Sequence, residues 1–227
     1  AAREEEKNTT AALIRGVAYK LREEGYQIGG FDAAITSTVR GGSGLSSSAA
    51  FEVMLCAIFD ELYNHGTLEY KHRAKISQFA ENVYFGKPSG LLDQMASSIG
   101  GLAYIDFQNE DPQVKPMNYD FSKKGYSLVV VNTGGSHDDL TADYASIPAE
   151  MKAVAKVFGQ DVLRQVQPEQ FFLSLPMVRE KLDVPNVDRA ILRAAHFFDE
   201  NRRVSDQVAA LQEDNLPEFL RLVIESG

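Results

Sequence analysis

The sequence predicts an α+β protein, on two observations. Its β-type runs (residues 31–39, 102–107 and 126–132) are segregated from long stretches of helical periodicity instead of alternating regularly with them. From Asp138 onward the pattern is mostly helical, interrupted at Pro148, Pro168, Pro176, Pro185 and Pro217.

In chain order, Asn8, Thr9 and Thr10 offer N-caps for a first helix running to about Glu24. Leu13, Val17 and Leu21 share one face of it, and Gly25 stops it. Residues 31–39 alternate Phe31, Ala33, Ile35 and Val39 with Asp32, Thr36 and Thr38, the period of a strand. A Gly/Ser segment, 41–48, then leads into a strongly apolar helix ending near Tyr63, and 64–67 is a turn. The next helix covers 68–85 and stops at Gly86 and Pro88. A short helix over 91–98 ends at Gly100-Gly101. Strands follow at 102–107 and 126–132, the second valine-rich and expected at the centre of a sheet. The last helix, 216–226, is amphipathic and no closing element follows it, so the chain is expected to lack segments at both ends.

The 227 residues suffice for one large domain or a tight pair with a real core. A formal charge of −9 argues against a nucleic-acid partner, which needs a basic stripe. No apolar stretch approaches the ~18 residues of a membrane span, and the acidic, polar start is no signal peptide. The lone Cys56, inside Val53-Met54-Leu55-Cys56-Ala57-Ile58-Phe59, reads as a buried core thiol and excludes an internal disulfide. A cytoplasmic protein without membrane or nucleic-acid partners is expected. His65, His72, His137 and His196 show no zinc spacing.

The segment Gly41-Gly42-Ser43-Gly44-Leu45-Ser46-Ser47-Ser48 joins a strand pattern to a helix N-terminus. There, free backbone N–H groups and the positive end of the helix dipole gather an anion. Glycines let the backbone approach phosphate oxygens, and a serine hydroxyl can bind Mg²⁺. The Lys-Ser/Thr ending of a P-loop is missing, as is the protein-kinase set. A flexible Gly/Ser turn with ordinary N-caps is the alternative. Further on, Glu81 lies near the end of one helix and Asp93 in the first turn of the next. Two carboxylates in one cleft suit phosphoryl transfer, one holding Mg²⁺ and the other taking the proton of the attacking hydroxyl. A solvated helix face and a dipole-stabilised helix start would explain them equally.

The run Gly42-Ser43-Gly44-Leu45-Ser46-Ser47-Ser48-Ala49-Ala50 resembles the second motif of the galactokinases, a branch of the superfamily that includes homoserine, mevalonate and phosphomevalonate kinases. The stretch from Ala80-Glu81 through Tyr84 and Gly86 to Gly90-Leu91-Leu92-Asp93-Gln94 is similar to a second galactokinase pattern, with the family's separation of 12 residues between Glu81 and Asp93. The resemblance implies a two-lobed small-molecule kinase that uses ATP and Mg²⁺ to phosphorylate the 1-hydroxyl of galactose. It implies Asp93 as catalytic base, Ser48 and Glu81 as Mg²⁺ ligands, and Gly42, Gly44, Ser46, Ser47 and Ser48 around the ATP phosphates. Gly90 and, through its hydroxyl, Tyr144 would contact the sugar with Asp93. The segment 129–137 before Asp143-Tyr144 and the helix around Arg193–Val204 also look like galactokinase, with His137 at a helix start and Ile191, Ala195 and Phe198 facing a core.

Two departures stand out. Arg40 occupies a position where the family usually has proline, and Ser89 replaces a small residue, often cysteine. The family's Gly-Glu-His-Thr-Asp segment and its C-terminal glycine-rich loop are not in the sequence. On the resemblance, 1–107 belong to the ATP/phosphate-binding and catalytic domain, and 108–227 to connecting strands and part of a helical C-terminal domain, in a monomer or weak homodimer. Two alternatives stay open: a non-catalytic sugar and ATP sensor, although known sensors depart within the serine loop that is complete here, and a kinase for a related hexose such as N-acetylgalactosamine.

Overall fold

The structure, a computed structural model, describes residues 2–39, 44–131 and 141–226, with backbone alone at 141–144. Helices dominate, accompanied by one two-stranded sheet among the described residues. The chain divides into two compact units, Ala1–Ala103 with Lys115–Asn118 and Gly125–Ser136, and Tyr104–Val114 with Tyr119–Lys124 and His137–Gly227.

The first unit is built on four helices. In α1 (Thr10–Glu23) the Thr9 side chain accepts the Ala12 N–H, as the capping pattern predicts. Leu13, Val17 and Leu21 are buried, and Gly25, with φ +89°, ends the helix at low steric cost. The apolar helix α2 (Ser47–Tyr63) packs Leu55, Cys56 and Phe59 against Val17 and Leu21. α3 (Tyr70–Phe79) contributes Ile76 to the same core. Buried Asp60 of α2 ties the two helices together, accepting the Leu68 N–H at 3.1 Å and the Arg73 Nη2 at 3.4 Å. Burial pushes the Cys56 thiol up to about 12, so it is a packing group and not a nucleophile.

The helix expected over 68–85 is not uniformly α. It widens after Phe79 into a π-helical turn, Ala80–Phe85, closed by Gly86 at φ +91°. The backbone of α1 approaches this turn closely. A Cβ on Gly16 of α1 would lie 2.8 Å from both Cα and Cβ of Ala80, so only glycine allows α1 to seat against this turn. A loop then leads to α4 (Leu92–Ile99), whose Gln94 and Met95 are buried.

β1 (Leu102–Asp106) and β2 (Gln113–Met117) pair in the small sheet. The connection of 107–112 is too short for a parallel crossover, which makes the pair a hairpin. β1 lies where the sequence predicts a strand, whereas β2 is not apparent in the sequence because Pro116 and its exposed positions hide the strand pattern. The other two expected strands are corrected. Residues 31–39 carry no ladder. Residues 126–131 are extended in sequence character only, and Leu128 and Val129 are 96% and 74% exposed where a central strand would be covered. A β-type run becomes a strand only with a partner, and neither run has one among the described residues.

In the second unit α5 (Thr141–Val157), α6 (Pro168–Leu173), α7 (Leu175–Lys181) and the long α8 (Val187–Gln212) enclose Val154, Phe171, Val178, Ala194 and Phe198. Prolines stand in the first turns of α6 and α7, where a missing N–H costs nothing. Buried Glu150 anchors α5 to α8, accepting from Arg189 Nε at 3.1 Å and Arg193 Nη1 at 2.6 Å. α9 (Leu216–Ser226) closes the described chain. Among the described residues no helix is long and apolar enough to cross a membrane.

Candidate active site

The site forms where the start of α2 meets the π-helical turn and the start of α4. Gly44, at φ +75°, and Ser46, at φ +54° and ψ +54°, put the chain in left-handed conformations immediately before α2. For a serine that conformation costs roughly 1–2 kcal/mol, so a compensating contact is expected. It is present: Ser46 Oγ donates to Asp93 Oδ2 in the first turn of α4. Ser46 is the N-cap of α2, yet its side chain makes no capping hydrogen bond to that helix.

Two residues on, Ser48 Oγ donates to Glu81 Oε1 at 2.8 Å. Ser46, Ser48, Glu81 and Asp93, singled out from the sequence, are thus joined pairwise by hydrogen bonds. The π turn places Glu81, 2% exposed, under the serine loop, whereas Asp93 faces solvent. Ser47 opens α2, Gly44 precedes it, and Gly90 lies in the loop before α4 with open space where a Cβ would be. Gly42 and His137 lie outside the described residues, as does the side chain of Tyr144 in α5.

Glu81 is surrounded by donors. Besides Ser48 it accepts from Ser89 Oγ at 2.8 Å, Gln94 Nε2 at 2.6 Å and Lys87 Nζ at 3.3 Å. Burial alone would raise its pKa, but the Ser89 and Ser48 hydroxyls and the Lys87 ammonium outweigh burial and hold it below the usual carboxylate value. A buried carboxylate kept ionised beside a serine hydroxyl is a hard-oxygen donor set. Among the described residues no cluster of three or more His, Cys, Asp or Glu could cage a metal. Mg²⁺ needs no such cage: it takes one or two protein oxygens and completes its shell with phosphate and water. Ser48 and Glu81 fit that pattern.

Three residues here were not singled out from the sequence. Ser89, a departure from the family pattern, is a direct partner of Glu81. Gln94 lies beside Asp93 in the motif but points the other way, into the interior. Glu52 is fully buried beyond it, with Oε2 3.4 Å from Gln94 Nε2. The available signal was one carboxylate on the apolar face of α2, next to Val53, Leu55 and Cys56. An apolar cavity of about 450 Å³, lined by Tyr104, Phe107, Met151, Leu163 and Phe197 among others, lies within the second unit and contains none of the site residues that the resemblance implies.

Residues 12–101 match the GHMP kinases N terminal domain, a span that includes the serine loop, Glu81 and Asp93. A protein named galactokinase from Streptomyces coelicolor is 33% identical over 217 residues, covering 94% of this chain and 54% of the relative. Another from Glaesserella parasuis serovar 5 is 33% identical over 220 residues with the same coverage. A third, from Clostridium tetani, is 27% identical over 229 residues, 98% of this chain and 56% of the relative. The chain therefore spans about half the length of the curated relatives it matches.

Proposed function

We propose, from the match of residues 12–101 to the GHMP kinases N terminal domain, that the chain is part of a kinase of that family and that its parent protein transfers the γ-phosphate of ATP to the 1-hydroxyl of galactose, giving galactose 1-phosphate. The observation that carries the reading is the pairing of the serine loop with two carboxylates, Ser46 with Asp93 and Ser48 with Glu81. Gly42, Gly44 and Ser46–Ser48, with the N–H groups of the first turn of α2, receive the phosphates. Mg²⁺, held by Ser48 and Glu81, supplies neutralisation of phosphate charge when bound. Asp93, exposed and hydrogen-bonded to a hydroxyl already, accepts the sugar hydroxyl in place of Ser46. The sugar oxygen bonds to the γ-phosphorus, the bond from that phosphorus to the bridging oxygen of ADP breaks, and the hydroxyl proton passes to a carboxylate oxygen of Asp93. Gly90 and Tyr144 complete the sugar contacts. In this reading 1–107 form the ATP/phosphate-binding and catalytic part, and 108–227 the connecting strands and part of the helical C-terminal domain.

The test is galactose-dependent ADP release by the parent protein in Mg²⁺. Asp93→Asn should lower kcat by ~100–10,000-fold while galactose binding, measured calorimetrically, stays close to that of the parent. Unchanged turnover removes Asp93 from the mechanism. Turnover with another hexose in preference to galactose reassigns the substrate.

A further inference from the structure

Glu52 has no part in the chemistry above, yet it is the least comfortable group near the site. It is a fully buried carboxyl on α2, and its Oε1 has no hydrogen-bond partner among the described residues. The Gln94 carboxamide lies between it and Glu81. Gln94 Nε2 donates to Glu81 Oε2 at 2.6 Å and, over a longer 3.4 Å, to Glu52 Oε2, while Gln94 Oε1 is likewise buried and without a partner among the described residues. Burying such groups without full compensation costs roughly 1–3 kcal/mol each, so an apolar residue at 52 would serve packing better.

We propose that Glu52 is a positioning residue: from the interior of α2 it holds the Gln94 carboxamide, which fixes the Glu81 carboxylate with Oε2 turned inward and Oε1 turned toward Ser48. The inference rests on the reading of Ser48 and Glu81 as ligands of a divalent cation. The geometry explains why four donors surround one carboxylate. Ser89 and Gln94 both hold Oε2, which leaves Oε1 with Ser48 and Lys87 on the outer side. Fixing one oxygen from behind sets the direction in which the other presents its lone pairs, the usual office of groups behind a metal ligand. Burial, and after it the charge of Glu81, push Glu52 up to about 8, so at neutral pH it stands beside Glu81 without adding a second negative charge.

The experiment measures Mn²⁺ affinity by electron paramagnetic resonance in the full-length parent, with a non-hydrolysable ATP analogue present. Metal-free binding of that analogue and the melting temperature are followed alongside. Glu52→Met keeps the volume and removes the hydrogen bond; it should weaken Mn²⁺ binding by ~10–100-fold and leave metal-free nucleotide binding within about twofold. Glu52→Gln, neutral and able to bond the carboxamide, should restore the parent affinity within about threefold. Should Glu52→Met fail to fold, Gln94→Leu cuts the same relay at its centre and should show the same loss. Parent-like Mn²⁺ affinity in Glu52→Met or Gln94→Leu, or a loss in Glu52→Gln as large as in Glu52→Met, overturns the relay. If Glu81→Ala also keeps the parent affinity, the metal-ligand reading falls with it. None of these outcomes depends on which sugar is the substrate, so failure to phosphorylate galactose is a separate result.

Discussion

Glu52 links the site to the stability of the protein. Unfolded, it titrates near the ordinary value of 4.5; folded, it is pushed up to about 8, first by burial and then by Glu81. Between those values the folded protein keeps a proton that the unfolded chain has released, so unfolding releases a proton. This contribution to stability falls as pH rises from ~4.5 to ~8 and levels off above. Glu52→Gln removes the dependence. Its melting temperature should match the parent near pH 5 and exceed it by roughly 2–4 °C or more at pH 8. Calorimetric scans at the two pH values check this, and an equal difference at both would show that Glu52 does not hold its proton in the fold. The residues that touch the outer face of the site were legible in the sequence because they sit in contiguous motifs: Ser46, Ser48, Glu81 and Asp93. Those behind it were not. Glu52 comes from the interior of one helix, and Gln94 turns away from its neighbour Asp93. Their meeting depends on packing that no local spacing encodes.

At the level of elements, the site depends on how α1 seats against the π-helical turn. An alanine in place of Gly16 should favour α1 itself by roughly 1 kcal/mol. Its Cβ, however, would meet Ala80 Cα at 2.8 Å and Tyr84 Cβ at 3.0 Å, and overpacking of this kind costs typically 1–3 kcal/mol. Gly16→Ala should therefore lower the urea midpoint despite its better propensity, and it should weaken divalent binding because Glu81 follows Ala80 directly. A raised midpoint would show that the turn yields freely. The helices α1, α2 and α4 were readable to within a few residues from caps, periodicity and stop glycines. The π turn was not: its residues carry the same periodicity as the α3 residues before it, and its contact with Gly16 of α1 is long-range. β2 was hidden by Pro116, and 31–39 and 126–131 show the converse, β-character without a partner to express it.

At the scale of the whole molecule, each unit has its own apolar core, and the serine loop, Glu81 and Asp93 all belong to the first. The run Tyr126-Ser127-Leu128-Val129-Val130-Val131 is a different matter. It is uncharged, β-branched and free of proline, and Val131 is 76% exposed. Backbone groups in such a run are a template for any second copy of itself, which makes it a nucleus for fibrillar self-association. The 227-residue chain, prepared alone, should scatter light and bind thioflavin in a concentration-dependent manner. Val130→Lys should suppress both, since one charge within a short apolar window acts as a gatekeeper. A chain that stays monodisperse at high concentration, or aggregates equally with Val130→Lys, would acquit this run. Otherwise the colloidal behaviour of the isolated chain is set by these six residues, and its shelf life in solution becomes a readout of whether that run is covered.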